Sequence, residues 1–163
     1  MDNELFEISQ QLGGLLKLNG KKISTAESCT GGWISQIITD VPGSSAWFDR
    51  GFVTYSNAAK MQMLGVKSKT LDDFGAVSAQ AAAEMANGAL QNSDADCTIA
   101  VTGIAGPTGG TTEKPVGTVF IAWAYKNQET KVIKKNLIGN RFEIRHQTVK
   151  LALEGVKIDL INR

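Results

Sequence analysis

The side chains with the most catalytic potential lie in a polar segment between a predicted strand and a predicted helix. Residues 27–32 have the sequence Glu-Ser-Cys-Thr-Gly-Gly. At such a turn the hydroxyl of Ser28 can project from the sheet edge, while the exposed N–H groups of residues 29–32 stabilise a developing oxyanion. The segment therefore predicts a nucleophilic serine, with an ordinary helix N-cap as the alternative. It lacks the GxSxG pattern of the α/β-hydrolase nucleophile elbow.

Two further side chains could support acyl transfer. Cys29 could be the nucleophile, because a thiolate near a helix N-terminus has a lowered pKa, or it could be a small buried core residue. His146 is the only histidine, so a Ser-His or Cys-His mechanism has one possible base. It falls within the last predicted helix, where a partly exposed surface histidine is the alternative. If it is not the base, lysine is the next candidate.

Tyr55 and Lys60 flank the junction between a predicted strand and a helix that Ser56 can cap. Both side chains could point toward the sheet edge that carries Ser28. A lysine acts as a base only when desolvation or nearby positive charge lowers its pKa from about 10.4. The alternatives are a solvated helix face for Lys60 and a strand aromatic for Tyr55.

A glycine-rich loop and an arginine pair could bind an anionic ligand. Gly103, Gly106 and Gly109 follow a buried strand with GxxGxxG spacing, which matches neither the dinucleotide fingerprint nor a Walker A loop. The glycines would let backbone N–H groups approach a ligand beyond the strand end, or they could form a flexible surface turn. Arg141 and Arg145, four residues apart in the last helix, could form a phosphate clamp with its N-terminal N–H groups. Alone, the pair is typical of a solvated face.

These candidates need a scaffold of alternating helices and strands. Apolar spacing predicts a first helix that Gly20 ends, a second from Trp33, and a last from Arg141 to about Ile161. Ser56 and Ser78 predict caps for two further helices. Extended runs predict strands, the last two paired as an antiparallel hairpin, at residues 22–26, 51–55, 97–101, 116–125 and 130–138. We therefore expect an α/β fold, a three-layer α/β/α sandwich with a mixed central sheet.

Length and charge restrict the class of protein. A chain of 163 residues with 42% hydrophobic residues is expected to form a single domain over residues 1–163. The net charge of +1 gives no electrostatic footprint for duplex nucleic acid or an anionic membrane. The longest mostly apolar stretch, residues 116–125, is short of the ~20 residues needed to span a bilayer. Since the first residues lack a signal peptide's basic start, we expect a cytoplasmic protein.

The cysteines and one glycine pair bear on disulfides, metal binding and assembly. Cys29 and Cys97 are too few for a disulfide framework, and neither lies at metal-ligand spacing from a histidine. Gly13 and Gly14 within the first helix would allow close helix packing. This pair suggests a homo-oligomer.

Four motifs occur in order along the chain: Thr-Ala-Glu-Ser-Cys-Thr-Gly-Gly at 25–32, Gly-Phe-Val-Thr-Tyr-Ser-Asn at 51–57 with Lys60, Gly-Ile-Ala-Gly-Pro at 103–107, and Lys-Pro-Val-Gly-Thr-Val at 114–119. Together they resemble the CinA C-terminal domain family over residues 5–153. Members of that family hydrolyse the carboxamide of nicotinamide mononucleotide to nicotinic acid mononucleotide and ammonia in pyridine nucleotide recycling. The resemblance implies that reaction here, in a stand-alone form without the N-terminal domain of full-length relatives.

The resemblance also implies a serine–lysine mechanism without a metal or cofactor, in which Ser28 is the nucleophile, Lys60 its general base and Tyr55 an assisting group. The backbone N–H groups of Cys29, Thr30 and Gly31 would hold the oxyanion. Ribose and phosphate would be held by Gly103, Ala105, Gly106, Arg141 and Arg145, with Arg141 preferred for the phosphate because it starts the last helix. The alternatives are a non-catalytic nucleotide-binding module and a serine amidase acting on another small amide.

Overall fold

A computed structural model describes residues 2–162, which form a five-stranded sheet with helices on both faces. The strands are β1 (Ile23–Glu27), β2 (Phe48–Val53), β3 (Cys97–Gly103), β4 (Thr118–Tyr125) and β5 (Lys131–Asn136). The helices are α1 (Asn3–Leu18), α2 (Trp33–Thr39), α3 (Asn57–Leu64), α4 (Ser68–Phe74), α5 (Ala79–Gln91) and α6 (Arg141–Ile161), with a 3₁₀ turn at Ser44–Ala46.

The order of the strands brings three strand ends to one edge of the sheet. The order is β2-β1-β3-β4-β5, with β1 parallel to both of its neighbours and the remaining pairs antiparallel. The carboxyl ends of β1, β2 and β3 therefore lie side by side, followed by Ser28, Thr54 and the glycine-rich loop. The predicted mixed sheet, its closing hairpin and the α/β/α architecture are confirmed.

The two faces of the sheet carry side chains of different size. On β4, Val119, Ile121 and Trp123 join the larger core with α1, α2 and α6. The alternate residues Ala122 and Ala124 face α5 in an alanine-rich core, as the two-residue period of a strand requires. Small side chains on both partners allow α5 to approach the sheet closely.

Two elements differ from the sequence prediction. Strand β2 occupies Phe48–Val53 rather than residues 51–55, because the chain leaves the sheet before Tyr55 and turns into α3. Helix α4 is absent from the sequence prediction, because Thr70 is the only buried residue of this helix and its sequence has no apolar stripe. The other predicted elements are confirmed within a few residues of their ends.

The glycine pair of α1 has a role within the chain. A Cβ atom on Gly13 would lie 2.4 Å from Cζ2 of Trp47, so the absence of a side chain at Gly13 leaves room for the Trp47 ring in the core. Gly14 has open space around it. The homo-oligomer stays a prediction, because the packing of Gly13 needs no second copy.

Gly88 of α5 allows the end of α3, the helix that carries Lys60, to pack directly against α5. A Cβ atom on Gly88 would lie 1.9 Å from the carbonyl oxygen of Leu64, a backbone atom that cannot move alone. We expect Gly88→Ala to lower the free energy of unfolding by about 1–3 kcal/mol, the usual cost of overpacking. Denaturant titration measures this change.

Gly14→Ala is the matched control, since it also replaces a glycine within a helix but adds its methyl group to open space. The higher helix propensity of alanine should raise the free energy of unfolding by about 0.5–1 kcal/mol. A Gly88→Ala protein as stable as Gly14→Ala would contradict the close packing of α3 on α5.

Candidate active site

Ser28 lies directly after β1 and begins the loop that leads into α2. Its N–H group donates to the carbonyl of Val101 at 3.2 Å, and the residue is only 8% exposed. Gly31 and Gly32 follow with φ of +61° and +100°, which lets the chain turn sharply into the helix. Gly32 is the residue that precedes α2 and provides no side-chain cap. The alternative of Ser28 as the helix N-cap is therefore wrong.

Lys60 reaches the Ser28 hydroxyl from α3. Ser56 caps this helix by accepting a hydrogen bond from the N–H group of Ala59 at 3.0 Å. One turn later, Nζ of Lys60 lies 3.0 Å from Oγ of Ser28, and the lysine is 1% exposed. Burial lowers the pKa of Lys60, because removal from water disfavours the charged ammonium. The alternative of a solvated helix face is wrong.

Two backbone carbonyls complete the surroundings of the lysine amine. Nζ of Lys60 donates to the carbonyl of Thr54 at 2.9 Å and to that of Tyr55 at 3.1 Å. A neutral amine has two N–H groups and one lone pair, so these carbonyls can accept both N–H groups and leave the lone pair facing Ser28. The arrangement can accept the hydroxyl proton as oxygen attacks a substrate.

Two of the three predicted oxyanion donors have uncommitted N–H groups. The N–H group of Gly31 already donates to the carbonyl of Ser28 at 3.1 Å. The N–H groups of Cys29 and Thr30 donate to no other residue within residues 2–162. Cys29 lines the cavity beside Ser28, whereas Thr30 is 0% exposed and borders a neighbouring pocket with Gly31, so the oxyanion role of these N–H groups stays a prediction.

The two alternative catalytic side chains are poorly suited to the reaction. Burial raises the pKa of the Cys29 thiol to about 11, so little thiolate exists at neutral pH. His146 lies outside the Ser28 cavity, where its Nε2 is 2.6 Å from Oδ2 of Asp2 and its ring stands against Trp33. Neither competes with Lys60 for the Ser28 proton.

A cavity of about 240 Å³ opens over the serine–lysine pair. Seven predicted site residues line it, namely Ser28, Cys29, Tyr55, Lys60, Gly103, Ala105 and Arg141. Four lining residues were missed from the sequence: Asn57, Ala76, Val77 and Thr102. Asn57 belongs to the motif at 51–57 and Thr102 is the penultimate residue of β3, so their positions in the sequence could have marked them as site residues. Residues 76 and 77 have no reactive groups that could have marked them.

Tyr55, the predicted assisting residue, meets Lys60 through its backbone. Its side chain is 64% exposed on the cavity wall, and the contact with Lys60 is made by its backbone carbonyl. An assisting role of the Tyr55 side chain in the reaction stays a prediction.

The two arginines of α6 have separate surroundings. Arg141 lines the cavity and donates to the carbonyl of Gly106 at 2.8 Å. Arg145 lies outside the cavity lining and donates to the carbonyls of Cys29 and Thr30 at 3.0 and 3.1 Å. Gly106 also lies outside the cavity lining, and its carbonyl accepts the hydrogen bond from Arg141. A single arginine is thus available in the cavity for an anion.

No cluster of three or more His, Cys, Asp or Glu side chains that could hold a metal ion occurs among residues 2–162. The helices in this part of the chain also include none with the length and apolar character that a membrane crossing demands.

Comparison with known proteins identifies the family. The CinA C-terminal domain model matches residues 5–160. Nicotinamide-nucleotide amidohydrolase PncC of Escherichia coli (strain K12) is 51% identical over 153 residues, which cover 94% of this chain and 93% of that protein. The crystal structure of competence/damage inducible protein CihA from Agrobacterium tumefaciens is 47% identical, with a TM-score of 0.95 over 100% of this chain and 98% of that chain. The chain belongs to the CinA C-terminal domain family.

Proposed function

We propose that the protein hydrolyses the carboxamide of nicotinamide mononucleotide to nicotinic acid mononucleotide and ammonia. The observation that carries the proposal is the buried Lys60 amine 3.0 Å from the Ser28 hydroxyl, both residues lining a cavity of about 240 Å³. Identity of 51% with a relative named for this substrate and reaction supports it. The reaction is a cytoplasmic step of pyridine nucleotide recycling.

The first half of the reaction transfers the acyl group to the enzyme. Oγ of Ser28 attacks the carboxamide carbon while its proton passes to Lys60. The N–H groups of Cys29 and Thr30 stabilise the oxyanion of the tetrahedral intermediate. Lys60 then returns the proton to the amide nitrogen, the carbon–nitrogen bond breaks, and ammonia leaves an ester on Ser28.

The second half releases the acid. Water attacks the ester carbon, and Lys60 accepts the water proton and gives it to the departing Oγ of Ser28. Tyr55 assists both halves through its carbonyl, which keeps the lone pair of Lys60 directed at the serine. No metal or cofactor is required for this sequence of proton transfers.

Ammonia release from the purified protein with nicotinamide mononucleotide tests the proposal. A serine amidase for another small amide would release ammonia from that amide and not from the nucleotide. A non-catalytic nucleotide-binding module would bind the nucleotide without releasing ammonia from it. Either outcome would overturn the proposed reaction.

Arg141, Gly103 and Ala105 line the cavity, and we propose Arg141 as the ligand for the substrate phosphate and the two loop residues as contacts of the ribose. Charge-assisted hydrogen bonds contribute about 1.5–3 kcal/mol, so Arg141→Ala should lower kcat/KM for the nucleotide roughly ten- to a hundredfold. The riboside, which has no phosphate, should be hydrolysed almost as well by the variant as by the wild type. Steady-state kinetics with both substrates measure the difference.

The riboside is the matched control because it differs from the nucleotide only in the phosphate. Equal losses for the two substrates would mean that the phosphate is bound elsewhere, most simply by the backbone of residues 106–110.

A further inference from the structure

Glu27 has a buried carboxylate beneath the loop that carries Ser28, and the proposed mechanism leaves it without a role. The residue is 0% exposed. Its Oε1 accepts hydrogen bonds from Oγ1 of Thr30 at 2.7 Å and from the N–H group of Ile34 at 2.8 Å. Its Oε2 accepts from the N–H group and Oγ of Ser35 at 3.0 and 2.9 Å. Four donors on one buried carboxylate tie the loop firmly to α2.

Arg145 of α6 forms hydrogen bonds with the same loop. Its Nε and Nη2 donate to the carbonyls of Cys29 and Thr30, which lie 116 and 115 residues away in sequence. The guanidinium carbon also lies 5.4 Å from the centre of the Trp33 ring, a cation–π distance. The planar fork of arginine suits two neighbouring carbonyls, and a lysine could not span both in the same way.

The carbonyl contacts determine where the loop N–H groups point. In a trans peptide, the C=O group and the following N–H group point in opposite directions. The bond from Arg145 to the Cys29 carbonyl therefore directs the Thr30 N–H group away from Arg145. The N–H group of Gly31 donates to the Ser28 carbonyl, and this bond likewise directs the Cys29 N–H group away from Gly31. Neither of these two N–H groups donates to another residue in the part of the chain that the structure describes.

We propose that Glu27 and Arg145 are positioning residues that hold the N–H groups of Cys29 and Thr30 ready for the oxyanion, and that Arg145 is not a phosphate ligand. Donors fixed in advance act on the transition state, where charge develops on the carbonyl oxygen. Loosening them should lower kcat and leave KM nearly unchanged. The substrate named in this inference rests on the proposed amide hydrolysis. The positioning role itself rests on the contacts of the loop.

The test compares Arg145→Lys and Arg145→Gln with nicotinamide mononucleotide and its riboside. We expect kcat to fall about ten- to a hundredfold for both substrates, since small displacements of catalytic groups have effects of this size. KM should change by less than about threefold. Arg145→Lys should not rescue the rate, because the second carbonyl contact is lost although the charge remains.

Arg50→Gln is the matched control, because Arg50 also donates to a backbone carbonyl, that of Asn92, but lies outside the cavity. Its kcat should equal that of the wild type. Loss of nucleotide hydrolysis alone in the Arg145 variants would assign the phosphate to Arg145 and overturn the proposal. An unchanged kcat would overturn it too.

Glu27→Gln tests the second positioning residue. We expect a fall in kcat of about tenfold or more with KM unchanged, since one oxygen that accepts two hydrogen bonds becomes a donor. Thermal unfolding shows whether the variant still folds. If it does not, Thr30→Val removes only the hydroxyl contact to Glu27 and should lower kcat in the same way. An unchanged kcat in a folded variant would remove Glu27 from the proposal.

Labelling with a fluorophosphonate separates this inference from the proposed function. Oγ of Ser28 forms a bond to phosphorus, the P–F bond breaks with loss of fluoride, and the hydroxyl proton passes to Lys60. The phosphoryl oxygen takes the oxyanion position, so no amide substrate is needed. If the wild type releases no ammonia from the nucleotide, slower labelling of Arg145→Lys than of Arg50→Gln, by about tenfold, still supports the positioning role. Equal labelling rates would overturn it.

Discussion

Replacement of Ser28 by alanine is expected to lower ammonia release by about 10⁴-fold or more, because no second nucleophile can form the acyl-enzyme. The serine is not a helix cap, and among residues 2–162 its hydroxyl forms a hydrogen bond with Lys60 only. Its backbone bond to Val101 survives the substitution. The variant should therefore stay folded, with a circular dichroism spectrum and a thermal midpoint close to those of the wild type.

Cys29→Ala is the companion variant, since it alters the adjacent cavity residue but keeps the backbone N–H group. We expect it to retain substantial activity, with a loss below about tenfold, because a thiol with a pKa of about 11 is mostly protonated at neutral pH. An active Ser28→Ala protein beside an inactive Cys29→Ala protein would move the nucleophile to the thiol.

The parts of the site that local signals define could be predicted from the sequence. Ser28 stands between a short strand and a resumed helical spacing, and the two glycines after it mark the turn. Ser56 caps α3 and Gly65 ends it, so the position of Lys60 on that helix follows. The parallel order of β1, β2 and β3 then brings both residues to one sheet edge.

The parts that depend on distant contacts could not be predicted. The Lys60 amine is buried against Ser28, 32 residues away in sequence, and the weakly amphipathic sequence of α3 does not indicate this contact. Arg145 was expected at a phosphate because it lies near a helix N-terminus. Its contact with Cys29 spans 116 residues, and no local pattern records such a pairing. Glu27 looked like one polar residue of a turn, although the fold buries it completely.

The second large loss of activity is expected when the general base is replaced. Lys60→Met should reduce kcat/KM about 10²–10⁴-fold, the usual contribution of a general base. Methionine has similar length and no lone pair that can accept the serine proton at a useful rate. His146→Gln is the control, because His146 is bound to Asp2 outside the cavity. Its activity should match that of the wild type, and a large loss would make histidine the base.

The pH profile gives the same assignment independently. Lys60 accepts the proton only when neutral, so kcat/KM should fall as the pH drops through the pKa of Lys60. Because burial lowers that pKa below its ordinary value of 10.5, the fall should occur at lower pH than for an exposed lysine. The acid limb should persist in His146→Gln and vanish from the residual activity of Lys60→Met. An acid limb that stays in Lys60→Met and disappears in His146→Gln would contradict the assignment of Lys60 as the base.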